Sequence, residues 1–302
     1  MTVHAVPAAP MQATRSHFAS AVHGGRLYVF GGGGAQFASL GAVEVYDPKA
    51  DRWEARKAMP TVRSGIAAAC VGDRIYVCGG GVKRPDGTFD FKALVDVYLP
   101  LEDRWEAGPP LVHRHDAPAT AVAGETVLLF GGHHPEATGG PLTDPGFDVC
   151  EALSEGAWRE VAPMPTARFS LSAEAVGERV WCMGGGAFRD GAFHNLDAIE
   201  VYDPAANRWD DASTRLPWPA AGVGTAVHGG RLYVAGGNDG ERISDRVARY
   251  DPASGAWEDL PPLPEPRVMA TLKSVDGALF LAGGRGPDGK TPTNTCWRRE
   301  GV

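Results

Sequence analysis

Six short apolar runs punctuate the chain: RLYVFGG, RIYVCGG, TVLLFGG, RVWCMGG, RLYVAGG and ALFLAGG, each ending in a diglycine. A run of small residues such as SHFASAV and a tight polar turn such as HGGR, VGDR or VGER precede each type of run. Beyond a variable stretch comes a segment of the EVYDP type, then one that starts at a tryptophan. The alternation of apolar and polar positions predicts antiparallel strands, four to a unit. The diglycines begin at Gly31, Gly79, Gly131, Gly184, Gly236 and Gly283, at spacings of 48, 52, 53, 52 and 47 residues. A four-stranded unit recurring at about 50 residues predicts the blade of a β-propeller.

The aromatic positions repeat with the same period. Trp53, Trp105, Trp158, Trp209 and Trp257 follow the first five diglycines, and Tyr46, Tyr98, Tyr202 and Tyr250 stand seven residues before four of them. In the third unit the same count lands on Glu151. Glycines let the backbone turn sharply and approach the next blade, and the aromatic pair fills the wedge between blades. Diglycine, tyrosine and tryptophan in this order resemble the Kelch-repeat propellers over almost the whole chain. The resemblance implies an all-β, six-bladed propeller with four antiparallel strands per blade, occupying residues 1–302 as one domain. The sixth unit ends at TNTCWRREGV, with Trp297 near the tyrosine position, while the N-terminal TVHAVPAAPM resembles a fourth strand such as WEARKAMP. Residues 1–12 are therefore expected to complete the last blade and close the ring.

In such a meander the loop entering the first strand and the loop joining strands two and three share a face. Length varies there: diglycine to tyrosine is 15, 19, 18 and 14 residues in units one, two, four and five, and 20 to Glu151 in unit three. Variable loops on a rigid scaffold predict the binding face. Sixteen residues before the diglycines stand Arg15, Arg63, His115, Arg168, Ala220 and Arg267. Converging guanidiniums there suit carboxylate or phosphate, and the resemblance to Kelch adaptors implies acidic peptide groups. The competing reading is that each arginine pairs with an Asp or Glu of a neighbouring blade. His17, His113, His133, His134 and His194 map to the same face, and His23 and His228 to turns on the other. Trp218 is a candidate stacking platform or a loop staple, and Phe37, Phe89, Phe91, Phe188 and Phe193 add an apolar component.

Composition narrows the picture further. The net charge of −8 argues against a nucleic-acid binder, and no run of 18 apolar residues exists to span a membrane. The 40 glycines and 24 prolines are scattered, which predicts turns rather than disorder. Five cysteines without a C-x-x-C pair, with Cys78 and Cys182 in apolar strands, predict buried thiols rather than zinc or disulfides. With no secretory leader at the N-terminus, the expected compartment is the cytoplasm and the expected state a monomer.

Two functions follow. The first is a recognition module that binds an anionic small molecule or an acidic peptide or protein through Arg15, His17, Arg63, Arg168, Trp218 and Arg267. The alternative is a free-standing enzyme on the same face. The resemblance reaches six-bladed bacterial Kelch propellers that interconvert sialic acid anomers, which implies a mutarotase-like isomerase with an acid, a base and a cation. It also reaches plant Kelch specifier proteins thought to use iron, which implies a metal-dependent reaction. For either chemistry the catalytic candidates are His115, His133 and His134, and these with Glu136 are the candidate ligands of a divalent ion. Copper-radical oxidation is set aside, because all seven tyrosines occupy repeat positions in strands.

Overall fold

The computed structural model describes residues 4–134 and 146–301. Six four-stranded antiparallel sheets form the blades. From the axis outward, the first blade runs Ala19–His23, Arg26–Phe30, Val43–Asp47 and Arg52–Arg56. The innermost strands of the other five begin at Ala67, Ala119, Ser172, Gly224 and Thr271, and neighbouring innermost strands lie side by side around a central channel. Two further hairpins, Gly81–Lys83 with Phe89–Phe91 and Gly186–Arg189 with Ala192–Asn195, rise from the variable loops of blades two and four. Among the described residues, no helix is long and apolar enough to cross a membrane.

Ring closure is as expected. Val6–Ala8 pairs antiparallel with Cys296–Arg299 as the outer strand of the last blade, with Pro7 opposite Trp297. The apolar core lies between blades. Tyr28, Phe30 and Val45 of the first blade pack with Ile75, Val77 and Tyr98 of the second. All five cysteines are free thiols, and burial pushes Cys78 and Cys150 up to about 12, so neither is a nucleophile at neutral pH.

The diglycine performs a defined task. The second glycine donates its N–H to a carbonyl of the next blade: Gly32 to Arg63, Gly80 to His115, Gly132 to Arg168, Gly185 to Ala220, Gly237 to Arg267 and Gly284 to Arg15. The first glycine must let that carbonyl approach. A Cβ on Gly31, at φ +52°, would stand 2.7 Å from the Arg63 oxygen. Each diglycine is thus the seam to the following blade, and the bond from Gly284 to Arg15 joins the last blade to the first.

The outer seam uses the aromatic positions. Trp105 Nε1 donates to the Lys57 carbonyl and Trp209 Nε1 to the Ala162 carbonyl, each in the preceding blade. Tyr98 and Tyr202 donate their hydroxyls to Asp103 and Asn207, which also accept the backbone N–H of Lys57 and Ala162. Blade one repeats the arrangement on the N-terminal segment. Trp53 donates to the Ala9 carbonyl, while Asp51 accepts the Ala9 N–H and the Tyr46 hydroxyl. The first ten or so residues therefore stand in for the end of a preceding blade.

Strand register corrects two alignments. In blade three Leu153, not Glu151, lies opposite Trp158, as Tyr46 lies opposite Trp53. Glu151 instead matches Glu44, because both lie across from the fourth residue of the second strand, Leu129 and Val29 respectively. Trp297, opposite Leu281, takes the same slot in the last blade.

Candidate functional site

The six residues that stand sixteen before the diglycines point into their own blades. Arg15 is fully buried; its Nη1 donates to the carbonyls of Gly31 and Ala42 and its Nη2 to Glu44. Arg63 repeats this with Gly79, Leu94 and Asp96. Arg168 pairs with Glu200 at 2.7 Å and donates to the Cys182 carbonyl. Arg267 donates to Glu265 and Thr295 and lies 4.5 Å over the Trp297 ring. The expected ring of ligand-binding arginines at the channel mouth is therefore corrected. Arg15 and Arg63 cap carbonyls where the second and third strands part. Arg15, Arg63 and Arg168 pair with a carboxylate of their own blade, not of a neighbouring one, while Arg267 pairs with Glu265 of its own entry loop. Burial pushes Arg63 down and Asp96 up, each against the pull of its partner, so the pair fixes geometry more than it supplies net attraction.

His115 takes the arginine's place in blade three. Nδ1 lies 2.6 Å from the Gly131 carbonyl and Nε2 lies 3.0 Å from Glu151, with both side chains fully buried. Burial would raise the Glu151 carboxyl, but His115 and the N–H groups of Val112 and His113 outweigh it and hold it below the ordinary range. With an oxygen facing each of its two nitrogens, the ring spans the same two partner positions that the arginine spans in other blades. It has no nitrogen left for a metal or a substrate.

Blade five departs from the pattern at both ends of the pair: Ala220 replaces the arginine and Ala248 the carboxylate, each buried. Trp218 fills the space. It is 5% exposed, and its Nε1 donates to the Gly236 carbonyl at 3.0 Å, with the Arg246 guanidinium over its ring. Trp218 is the loop staple; the stacking platform is the reading the structure corrects.

Two residues further along, the chain turns into the channel. His17, Gly65, Ala117, Ser170, Gly222 and Met269, one from each blade, have left-handed backbones with φ between 50° and 67°. Their amides run around the axis: Gly65 donates to His17, Ala117 to Gly65, Ser170 to Ala117, Gly222 to Ser170 and Met269 to Gly222. A Cβ at Gly65 would stand 1.8 Å from Asp116 Oδ1, so a larger residue there would displace that carboxylate. Four non-glycine residues held in this conformation mark a collar whose strain is sustained by the surrounding ring.

On the variable-loop side of the collar lies a cavity of about 260 Å³ lined by His17, Asp116, His133, Phe169, Phe193, Asn238 and Arg285, with an apolar floor of Ala221, Val268 and Met269. Arg285 is 8% exposed; Nε donates to Ser16 Oγ at 3.1 Å and Nη1 to the Gly289 carbonyl at 3.2 Å, and the guanidinium sits 3.8 Å over Phe37. Among the described residues no carboxylate pairs with it. His17 bonds through Nδ1 to Ser16 Oγ at 3.0 Å. Burial first and the Arg285 charge second hold its imidazole down at about 3, so it is neutral at physiological pH. Across the cavity His133 Nε2 meets Asp116 at 2.9 Å, and its ring stacks on Phe169 with centroids 4.2 Å apart.

His17 and His133 thus belong to the cavity, while His115 does not. His134 packs against Phe91 outside the cavity lining, and Glu136 lies outside the described residues. Among the described residues, no group of three or more His, Cys, Asp and Glu side chains is placed to hold a metal ion. Sequence reasoning missed Asp116, Phe169, Asn238 and Arg285. Two positional rules find them: Asp116 and Phe169 each follow a buried staple by one residue, and Asn238 and Arg285 follow a diglycine.

The KLHDC2/KLHL20/DRC7 Kelch-repeats domain matches residues 65–284, and the Kelch motif matches residues 14–60. Kelch-like protein 34 of Homo sapiens is 34% identical over 239 residues, covering 78% of this chain and 35% of that protein. Kelch-like protein 36 of Bos taurus is 28% identical over 269 residues, covering 85% of this chain and 41% of its own. Beta-scruin of Limulus polyphemus is 26% identical over 205 residues, covering 65% and 22%. The chain thus spans less than half the length of these relatives. The solved structure of YjhT is similar in fold, with a TM-score of 0.79 at 17% identity over 95% of each chain.

Proposed function

The chain belongs to the Kelch-repeat family, and from that premise we propose that it is a recognition module that binds an anionic group at the mouth of its axial channel. The anion belongs to a small molecule or to an acidic peptide. Arg285 carries this reading: it is a buried guanidinium that lines a cavity and lacks a carboxylate partner among the described residues. Its Nε and Nη1 are held by Ser16 and Gly289, which leaves Nη2 to meet a ligand. Burial disfavours the Arg285 charge and the nearby Asp288 carboxylate offsets this only in part, so an arriving carboxylate or phosphate lowers that cost through charge-assisted hydrogen bonds. The staples Arg15, Arg63, Arg168 and Arg267 serve this site indirectly, by fixing the blades that carry it. Thermal-shift titration with citrate and inorganic phosphate tests the proposal. Stabilisation of the wild type that is lost in Arg285→Gln supports it; equal shifts in the two proteins would remove it.

A second reading, a sugar-acid isomerase, is favoured by one observation. The Asp116–His133 pair and the neutral His17 line the same cavity as Arg285. Acid–base groups beside an anion site suit proton transfer on a bound acid. Magnetisation-exchange NMR on sialic acid and related sugar acids measures this directly, and exchange rates unchanged by the protein would eliminate it.

A further inference from the structure

The two sides of the cavity differ in chemistry. Blades six and one bring Arg285, His17 and Ser16. Blades three and four, on the far side of a six-bladed ring, bring an aromatic wall. His133 stacks on Phe169 at 11° between planes. Phe193 leans on Phe169 with centroids 5.7 Å apart and on Phe188 at 5.1 Å. Phe169 is held nearly buried by these neighbours, whereas Phe193 is 36% exposed on its hairpin. The apolar floor residues and Ile243 continue the wall toward blades five and six.

A sugar acid, with hydroxyls on every side, would leave those hydroxyls unpaired against Phe169 and Phe193. An anion without an apolar body would leave the wall wet. Both mismatches cost free energy, because buried polar groups need partners and exposed aromatic faces gain from cover. Among the described residues the polar side chains between the two ends are few: Asp116, which His133 holds, the Ser170 hydroxyl and the Asn238 amide.

Resting on the anion site proposed above, we infer that the ligand is a small aryl carboxylate, with its carboxylate at Arg285 and its ring against Phe193 and Phe169. The carboxylate accepts from Arg285 Nη2. It also accepts from His17 Nε2–H when Ser16 donates to Nδ1, the tautomer that a neutral His17 adopts beside an anion. The ring takes the tilted or offset contact that aromatic pairs prefer. The cavity, about 260 Å³, is slightly smaller than the usual small-molecule pocket and suits no more than a ring with a short acid arm.

The test is an NMR chemical-shift titration of the full chain with acetate and with 3-phenylpropanoate. The expected result is that 3-phenylpropanoate binds at least roughly tenfold more tightly than acetate, since burying a ring is worth more than one such factor. Phe193→Ala should erase that advantage and leave acetate binding unchanged, while Phe193→Leu restores part of it. Arg285→Gln should abolish binding of both acids, and Arg285→Lys, which keeps the charge, guards against a variant that simply misfolds. If 3-phenylpropanoate binds no more tightly than acetate, or Phe193→Ala has no effect, the aryl inference is overturned while Arg285-dependent acetate binding leaves the anion site standing. If neither acid saturates the wild type, or neither depends on Arg285, both readings fall.

Discussion

The indole nitrogen of Trp218 donates to the carbonyl oxygen of Gly236 at 3.0 Å, the contact that Arg15 makes with Gly31 and Arg63 with Gly79. One side chain, entering from two residues upstream, replaces a buried ion pair in blade five. The repeat therefore constrains a task, capping the carbonyl at the end of the second strand, more tightly than it constrains a residue type.

Truncation of Trp218 removes both the cap and a large buried side chain. Trp218→Ala should cost about 3–5 kcal/mol of stability, read as a shift of the urea midpoint. Ala220→Arg should also destabilise, since it buries a guanidinium opposite Ala248 with no carboxylate to meet it. A neutral Ala220→Arg would contradict the view that Trp218 has taken over the arginine's space.

His115 should accept the repeat's usual residue. His115→Arg restores the guanidinium beside Gly131 and Glu151 and should unfold within about 1 kcal/mol of the wild type, the typical worth of a hydrogen bond. His115→Leu strands the buried Glu151 charge and should cost about 3–5 kcal/mol. Equal losses in the two variants would mean that His115 does more than cap.

The contrast between repeating and varying positions explains what could be read in the sequence. Strands, blade count and ring closure were legible because the diglycine, tyrosine and tryptophan recur, and recurrence reflects packing that every blade must solve. The same logic misled the site reading: Arg15, Arg63, Arg168 and Arg267 recur because they are structural. The cavity is built from positions where the blades differ, Asp116 and Phe169 after the staples and His133 and Arg285 after the diglycines. Nothing in spacing alone reveals that a side chain one residue past a buried arginine faces the channel. That follows from the left-handed turn at Ala117 and Ser170, which only the backbone discloses. The Glu151 alignment slipped for a similar reason, since the third blade's outer turn is shorter than the DPKADR turn of the first.

Removal of the N-terminal segment should weaken the whole ring. Deleting residues 1–12 takes away the outer strand of the last blade and the Ala9 groups that Trp53 and Asp51 hold. A fall in melting temperature of several degrees is expected. Asp51→Ala, which loses the Ala9 and Tyr46 bonds but keeps the strand, should give a smaller fall. An unchanged melting temperature on deletion would show that the ring does not depend on this seam.

Acid should loosen the turn that steadies Arg285. Asp288 accepts the Thr291 hydroxyl and the N–H groups of Thr291 and Lys290, and these hold its carboxyl at about 2. In the unfolded chain the group titrates near ~3.9. Because the folded value is depressed, the stabilisation is fully present above about pH 4 and is lost as pH falls toward 2. The melting temperatures of wild type and Asp288→Ala should therefore differ by a constant amount above pH 5, and the gap should shrink steeply as pH falls through about 2. A gap as large at pH 2 as at pH 5 would mean that the carboxylate's charge is not what holds the turn.

His17 offers the most direct view of the site itself. Its ring is kept neutral by burial and by the Arg285 charge, with a midpoint at about 3. An imidazole so placed should show neutral ring shifts down to pH 5 in NMR spectra, assigned by loss of the signal in His17→Gln. A bound carboxylate changes the balance, because a negative charge beside the ring favours its protonated form and offsets the Arg285 field. Saturation with an acid that binds at Arg285 should therefore move the His17 midpoint upward. Arg285→Gln should also raise the midpoint without ligand, since the second of its two causes is removed, and should make it insensitive to added acid. A His17 that titrates near the ordinary histidine value in the free protein would mean that the mouth is wetter than the geometry requires, and that Arg285 is compensated by solvent rather than held for a ligand.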